Sequence, residues 1–296
     1  MNSLPDEIER KFLDMLQNMT GRGSEIKSVK NVSGGSINTA CKVTVASGRS
    51  FFLKYNLNDR YPGMFVAESK GLKTLRETGT VRIPKVLWDG VADQYSFLVL
   101  EMIDPGRQRV DFFETLGQQL AALHLVTDDQ FGLDHDNYIG SLHQPNEKKE
   151  SFDVFFRDMR LMPLARMAYD AGSLPQNALR QLDQLCDRIS EFIPSEKPAL
   201  LHGDLWSGNR ITGPEGDPWL IDPAVNFGHR ETDIAMTRLF GGFDGSFYEA
   251  YHGSFPLQPG WEERLDLHNL YPLLVHLNLF GSGYLPQIEQ ILRRYS

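Results

Sequence analysis

Cysteine is scarce in this chain. Its two cysteines, Cys41 and Cys186, lie far apart among 296 residues and lack metal-ligand spacing. That excludes a disulfide-built fold and a cysteine-ligated zinc site, and it leads us to expect a reduced, cytoplasmic protein. Positive charge is also in deficit: 30 Lys and Arg stand against 39 Asp and Glu, for a net charge of −9. Without a basic cluster there is no footprint for a phosphate backbone, so nucleic acid is not an expected partner. Long apolar runs are missing as well. The longest candidate, "LYPLLVHLNLF", is interrupted by Pro272, His276 and Asn278 and is far too short to span a bilayer, so no membrane association is expected. The opening "MNSLPDEIERKFLDML" lacks the basic start and apolar centre of a secretory signal. We see no internal repeat and no low-complexity stretch. What is present, 41% hydrophobic and 23% charged residues, is the make-up of a globular chain long enough for one large domain or two medium ones.

The texture changes once along the chain. Leu4, Ile8, Phe12 and Leu16 recur every four residues and predict an amphipathic helix. "ACKVTVAS" and "SFFLKYN" then read as two strands of a hairpin, "MFVAESKGLKTLRETG" as a helix, and "IPKVLWDG" and "YSFLVLEMI" as two further strands. A small antiparallel sheet with one inserted helix is expected over residues 1–103. The Pro/Gly break "MIDPGRQ" marks a hinge, and residues 104–296 read as mainly helical. The exception there is "PALLHGDLWSGNRITGPEGDPWLIDPAVNFGHRETD", where the apolar runs "ALLH" and "PWLID" flank a turn and predict two short strands.

That exception carries the chemistry. His202, Gly203, Asp204, Leu205 and Asn209 reproduce the five-residue Asp-to-Asn interval of the protein-kinase frame H-R-D-L-x-x-x-N, and Asp222 follows in "LIDP". Phosphoryl transfer needs in-line positioning and cancellation of phosphate charge more than covalent work. Asn209 and Asp222 are oxygen ligands suited to Mg²⁺, and Asp204 is the candidate base for the acceptor hydroxyl. In the first half, Lys54 on a strand and Glu68 on the next helix occupy the order of a phosphate-contacting lysine and its ion-pair partner. The loop "VSGGSINTA" is the candidate phosphate cover, through Gly34, Gly35, Ser36 and Asn38, although it lacks the G-x-G-x-x-G frame. By position alone, the backbone of Glu101, Met102 and Ile103 is expected at an adenine edge.

Together "LLHGDLWSGN", "IDPAVNFGHRETDIAM", "LFGGF" and "LHNLYPLLVHLNLFGSGY" resemble the fructosamine kinase (ketosamine 3-kinase) family, relatives of the aminoglycoside phosphotransferases. The resemblance implies an α+β, protein-kinase-like fold of two lobes, an antiparallel N-lobe sheet with a helix and a mainly helical C-lobe. It implies ATP- and Mg²⁺-dependent phosphorylation of the sugar 3-hydroxyl of ketosamines, either small molecules or glycated protein lysines, as deglycation repair. The family's base falls on Asp204, its metal ligands on Asn209 and Asp222, and its nucleotide contacts on Lys54 and Glu68. Trp206, His229 and Arg230 are the expected acceptor contacts, and Asp233 the expected brace of the catalytic loop. Where many members carry a loop cysteine this chain has Ser36, so no redox switch is expected, only a monomer or weak dimer. Two alternatives stand beside this reading. One is a phosphotransferase for an aminoglycoside, choline or simple sugar; the other, a non-catalytic nucleotide scaffold, predicts damage at key positions that are here intact.

Overall fold

Apolar residues at every fourth position roll Asp6–Thr20 into helix α1, which buries Ile8, Phe12 and Leu16. This is a computed structural model of the chain, and it describes residues 3–21, 23–32 and 37–295. After α1 come β1 (Ile26–Asn31), β2 (Thr39–Val45), β3 (Ser50–Leu57), α2 (Met64–Glu77), β4 (Val86–Ala92) and β5 (Tyr95–Glu101). The strands form an antiparallel sheet in the order β1-β2-β3-β5-β4. Because side chains alternate along a strand, Cys41, Val43, Val45, Phe51 and Leu53 share one face and pack with α1. Phe12 meets Phe51 edge-on, with ring centroids 5.4 Å apart. Lys54 follows Leu53 and so points to the other face, toward α2.

The rest of the chain gives α3 (Phe112–His124), a hairpin of β6 (Asn137–Ile139) and β7 (Leu142–Gln144), α4 (Phe152–Phe155), a π-helical turn (Phe156–Leu161), α5 (Met162–Asp170), α6 (Gln176–Cys186) and α7 (Ile189–Phe192). Then follow β8 (Ala199–Leu201), β9 (Arg210–Thr212), β10 (Pro218–Leu220), β11 (Asn226–Gly228), α8 (Glu231–Leu239), α9 (Gly245–Ser254), α10 (Trp261–Phe280) and α11 (Leu285–Tyr295). The segment "FDVFFRDMRLMPLARMAYDAG" was expected as one helix, and it is helical throughout but carries the π turn. Pro163 has no N–H to offer the Met159 carbonyl, and the Arg160 guanidinium donates to that carbonyl instead, at 3.0 Å. The helical core gathers Phe155, Phe156, Leu161, Leu182, Leu270, Leu274 and Ile288.

Two compact units result, Met1–Gln108 with Ile211–Ile221, and Arg109–Arg210 with Asp222–Ser296. The predicted strands "ALLH" and "PWLID" are present, each with a partner that the sequence reading did not single out. β8 pairs antiparallel with β11, and β10 with β9. The hairpin of β9 and β10 groups with the first unit, where Leu220 N–H donates to Arg82 O at 2.9 Å and Arg82 pairs with Asp217 at 2.7 Å. The first unit is therefore discontinuous in sequence, where a single break after residue 103 was expected. Among the described residues no helix is long and apolar enough to cross a membrane.

Candidate active site

The segment after β8 is held by backbone contacts that few sequences permit. Gly203 has φ of 82°, and a Cβ there would lie 2.0 Å from Ala224 O, so only glycine fits the crossing. Asp233, on the first turn of α8, accepts from His202 N–H at 2.8 Å and Gly203 N–H at 2.9 Å, and faces His124 Nε2 at 3.2 Å. Burial by itself would raise the pKa of Asp233; the hydrogen bond and charge of His124, with His202 and Gly203 N–H, outweigh it and hold the carboxyl below its ordinary value. His124 is fixed in turn by Tyr251 Oη at 2.8 Å. His202 is fully buried, and its Nδ1 accepts from Asp204 N–H at 3.3 Å.

This bracing presents Asp204. Asn209 Nδ2 donates to Asp204 Oδ2 at 2.8 Å, to Asp204 O at 2.9 Å and to Asp222 O at 3.4 Å. The amide nitrogen is thereby spent, and Asn209 Oδ1, the atom a hard cation prefers, stays outside these bonds. Desolvation pushes the Asp204 pKa up to about 7, opposed by the Asn209 bond and reinforced by the charges of Asp222 and Asp233. Asp222 has φ of 55°, a left-handed conformation costly for a residue with a Cβ, of the kind that gathers at functional sites. An acid–amide pair of oxygens beside a strained carboxylate is a donor set that suits Mg²⁺.

Trp206 lies flat on the same turn. A Cβ on Gly208 would fall 2.2 Å from the indole ring, so the ring needs glycine beneath it. It is 37% exposed. His229 and Arg230, expected at the acceptor, are instead consumed by packing. Both are buried; His229 Nε2 donates to Pro194 O at 3.1 Å, while Arg230 grips Glu196 at 2.7 and 2.9 Å, donates to Phe255 O and Pro256 O, and stacks on the Phe255 ring. Their guanidinium and imidazole hydrogens are occupied, which leaves nothing to offer a sugar.

A second group of possible ligands is His229, Glu231 and His268, with ligand atoms within 4.8 Å of one another. It is a brace rather than a metal centre. Arg264 takes both Glu231 oxygens, at 2.7 and 2.6 Å, and a guanidinium there repels a cation. Burial alone would raise the Glu231 carboxyl, but the His268 imidazole 3.4 Å away and the two Arg264 hydrogen bonds bring it down to about 2. Burial also pushes His229 down to about 4.

In the first unit Lys54 Nζ meets Glu68 Oε1 at 2.9 Å, with side chains only 7% and 12% exposed. Asn38 Oδ1 accepts from Asn56 Nδ2 at 2.8 Å. Gly34, Gly35 and Ser36 lie outside the described residues. At the end of β5, Glu101 N–H donates to Lys85 O at 2.9 Å, so this hydrogen is not available to an adenine edge.

The family model for fructosamine kinase matches residues 9–296. A probable ketoamine kinase of Synechocystis is 39% identical over 279 residues, covering 93% of this chain and 92% of its own. The chloroplastic protein-ribulosamine 3-kinase of Arabidopsis thaliana is 37% identical over 281 residues, covering 93% of this chain and 84% of its own. Among solved structures, a candidate fructosamine-3-kinase from Thermobifida fusca superposes with a TM-score of 0.83 at 34% identity, covering 95% of this chain and 96% of that one. An aminoglycoside phosphotransferase solved with AMP-PNP and hygromycin B shares the fold, with a TM-score of 0.64 at 15% identity over 95% of this chain and 97% of that one.

Proposed function

The chain belongs to the fructosamine kinase family and is a phosphotransferase with an alcohol acceptor, and we propose that it transfers the γ-phosphoryl group of ATP to the 3-hydroxyl of ketosamines. The observation that carries this reading is the Asp204–Asn209 hydrogen bond, 2.8 Å long, which sets a carboxylate and a metal-facing amide oxygen on one turn. In the proposed reaction Asp204 accepts the proton of the attacking hydroxyl as its oxygen bonds to the γ-phosphorus and the bond from that phosphorus to the β,γ-bridging oxygen breaks, releasing ADP. Asn209 orients that carboxylate, and Asn209 Oδ1 with Asp222 would hold Mg²⁺. The ion, when bound, neutralises charge on the phosphates. Lys54, kept straight by Glu68, contacts the α- and β-phosphates. Trp206 flanks the acceptor sugar. A fructosamine or ribulosamine phosphorylated at this position is the product, and removal of sugars from amines is the process it serves. That the aminoglycoside phosphotransferase above was solved with AMP-PNP supports ATP as donor.

The test is ATP consumption with Mg²⁺ on a fructosyl-lysine derivative and its ribulosyl counterpart, beside an aminoglycoside, choline and free fructose. Turnover confined to the ketosamines is the expected result. Turnover of a control alone would keep the phosphoryl-transfer roles and overturn the acceptor.

A further inference from the structure

Trp206 is one end of a longer feature. Its ring faces Phe240 at 6.3 Å; Phe240 lies 4.8 Å from His276, which lies 5.3 Å from Phe280 and 5.0 Å from Tyr284. The end of α8, the last turns of α10 and the turn after it thus lay five rings in a strip that begins two residues from Asp204. Phe240 and Phe280 are 38% and 57% exposed. Contiguous apolar surface of this kind normally marks a binding site.

The strip also lacks charge of its own. Burial holds the His276 pKa below its ordinary value, against a smaller opposite effect from its bond to Pro272 O. That bond, 2.7 Å from Nδ1, fixes the tautomer, because the carbonyl accepts only from an Nδ1–H. Nε2 therefore keeps its lone pair, an acceptor amid ring faces that carry negative quadrupole density.

We propose that the Trp206–Phe240–His276–Phe280 strip is the subsite for the ammonium group of the acceptor, recognised by aromatic faces and one imidazole lone pair rather than by a carboxylate. The proposal rests on the ketosamine reading above. A ketosamine differs from a free sugar by a secondary amine that is protonated near neutral pH. An acceptor whose sugar hydroxyl reaches Asp204 extends its amine past Trp206, the ring that joins the loop to the strip. A cation within about 6 Å of such ring faces gains between about 2- and 30-fold in affinity, according to how far it is desolvated.

The experiment compares kcat/KM for a fructosyl-alkylamine and for the neutral ether in which oxygen replaces the nitrogen, in the parent protein, Phe240→Leu and Phe240→Tyr. The parent is expected to favour the ammonium substrate by about 2- to 30-fold. Phe240→Leu keeps the apolar bulk and removes the ring face, so the preference should shrink toward one, chiefly through the KM of the ammonium substrate. Phe240→Tyr should restore it. A parallel loss for both substrates in Phe240→Leu would make the strip mere packing and overturn the proposal. A parent that uses both substrates equally would overturn it alone, and a parent that phosphorylates neither would overturn the ketosamine reading together with it.

Discussion

A single amide decides what Asp204 can do. Because Asn209 donates its nitrogen to Asp204, the residue that would hold the metal also aims the residue that would take the proton. Substituting Asp204 by Asn removes the proton acceptor and keeps the shape. We expect kcat to fall by at least about 100-fold, the lower end of what general-base catalysis supplies, while the KM for ATP stays within about threefold. Steady-state kinetics at saturating acceptor check this, and near-parent turnover would remove Asp204 from the reaction. The sequence made this residue legible as a candidate because the proposed chemistry depends on a short frame, Asp204 to Asn209, that can be read without any knowledge of the fold. His229 and Arg230 show the opposite case. They stand beyond Asp222 in the chain, outside the Asp204–Asn209 frame, and only the tertiary placement of Pro194, Glu196 and Phe255 reveals that their donors are already spent.

At the scale of the element, the turn that carries Asp204 is fixed from behind. Asp233 supplies both carboxylate oxygens to consecutive amides of the His202–Gly203 segment, and the Gly203 backbone crosses Ala224 O at a distance no side chain allows. Gly203→Ala meets both a left-handed φ and a carbonyl 2.0 Å from its new carbon. We expect a loss of stability of at least about 2 kcal/mol, read from the denaturant midpoint, together with loss of turnover. A variant that melts with the parent and stays active would mean that the turn relaxes freely. The strands themselves were visible as apolar runs, but their pairing was not. "ALLH" and "PWLID" are both short apolar runs; one joins β11 beside the turn that carries Asp204 and the other joins β9 in a different unit.

Over the whole molecule, the buried charges of the second unit set its response to acid. His229 has an ordinary value of 6.5 and is pushed down to about 4, and Glu231 has an ordinary value of 4.5 and is brought down to about 2. In both cases the unfolded chain binds a proton that the folded chain refuses, so stability rises with pH across each window. The contribution of His229 is complete above about pH 6.5 and is lost as the pH falls toward 4; that of Glu231 is lost between about 4.5 and 2. Asp204, pushed up to about 7, takes up a proton in the folded chain first and acts in the opposite direction between 7 and 3.8, so the check is a comparison of variants: between pH 6.5 and 4 the melting temperature of His229→Gln should fall less, or rise more, than that of the parent. An unchanged slope would mean that other groups carry the acid response.

The amino-acid sequence alone determined the local terms: the four-residue apolar repeat of α1, the alternation that puts Lys54 opposite Leu53, and the Asp204–Asn209–Asp222 frame. Each depends on residues near one another in the chain, where periodicity and steric preference act directly. Tertiary structure decided the rest. The return of Ile211–Ile221 to the first unit, the closing of Arg264 on Glu231 and the strip from Trp206 to Tyr284 join residues distant in sequence. Such contacts are chosen by burial and by the need of each buried donor for an acceptor, and no short window of sequence records which partner will arrive.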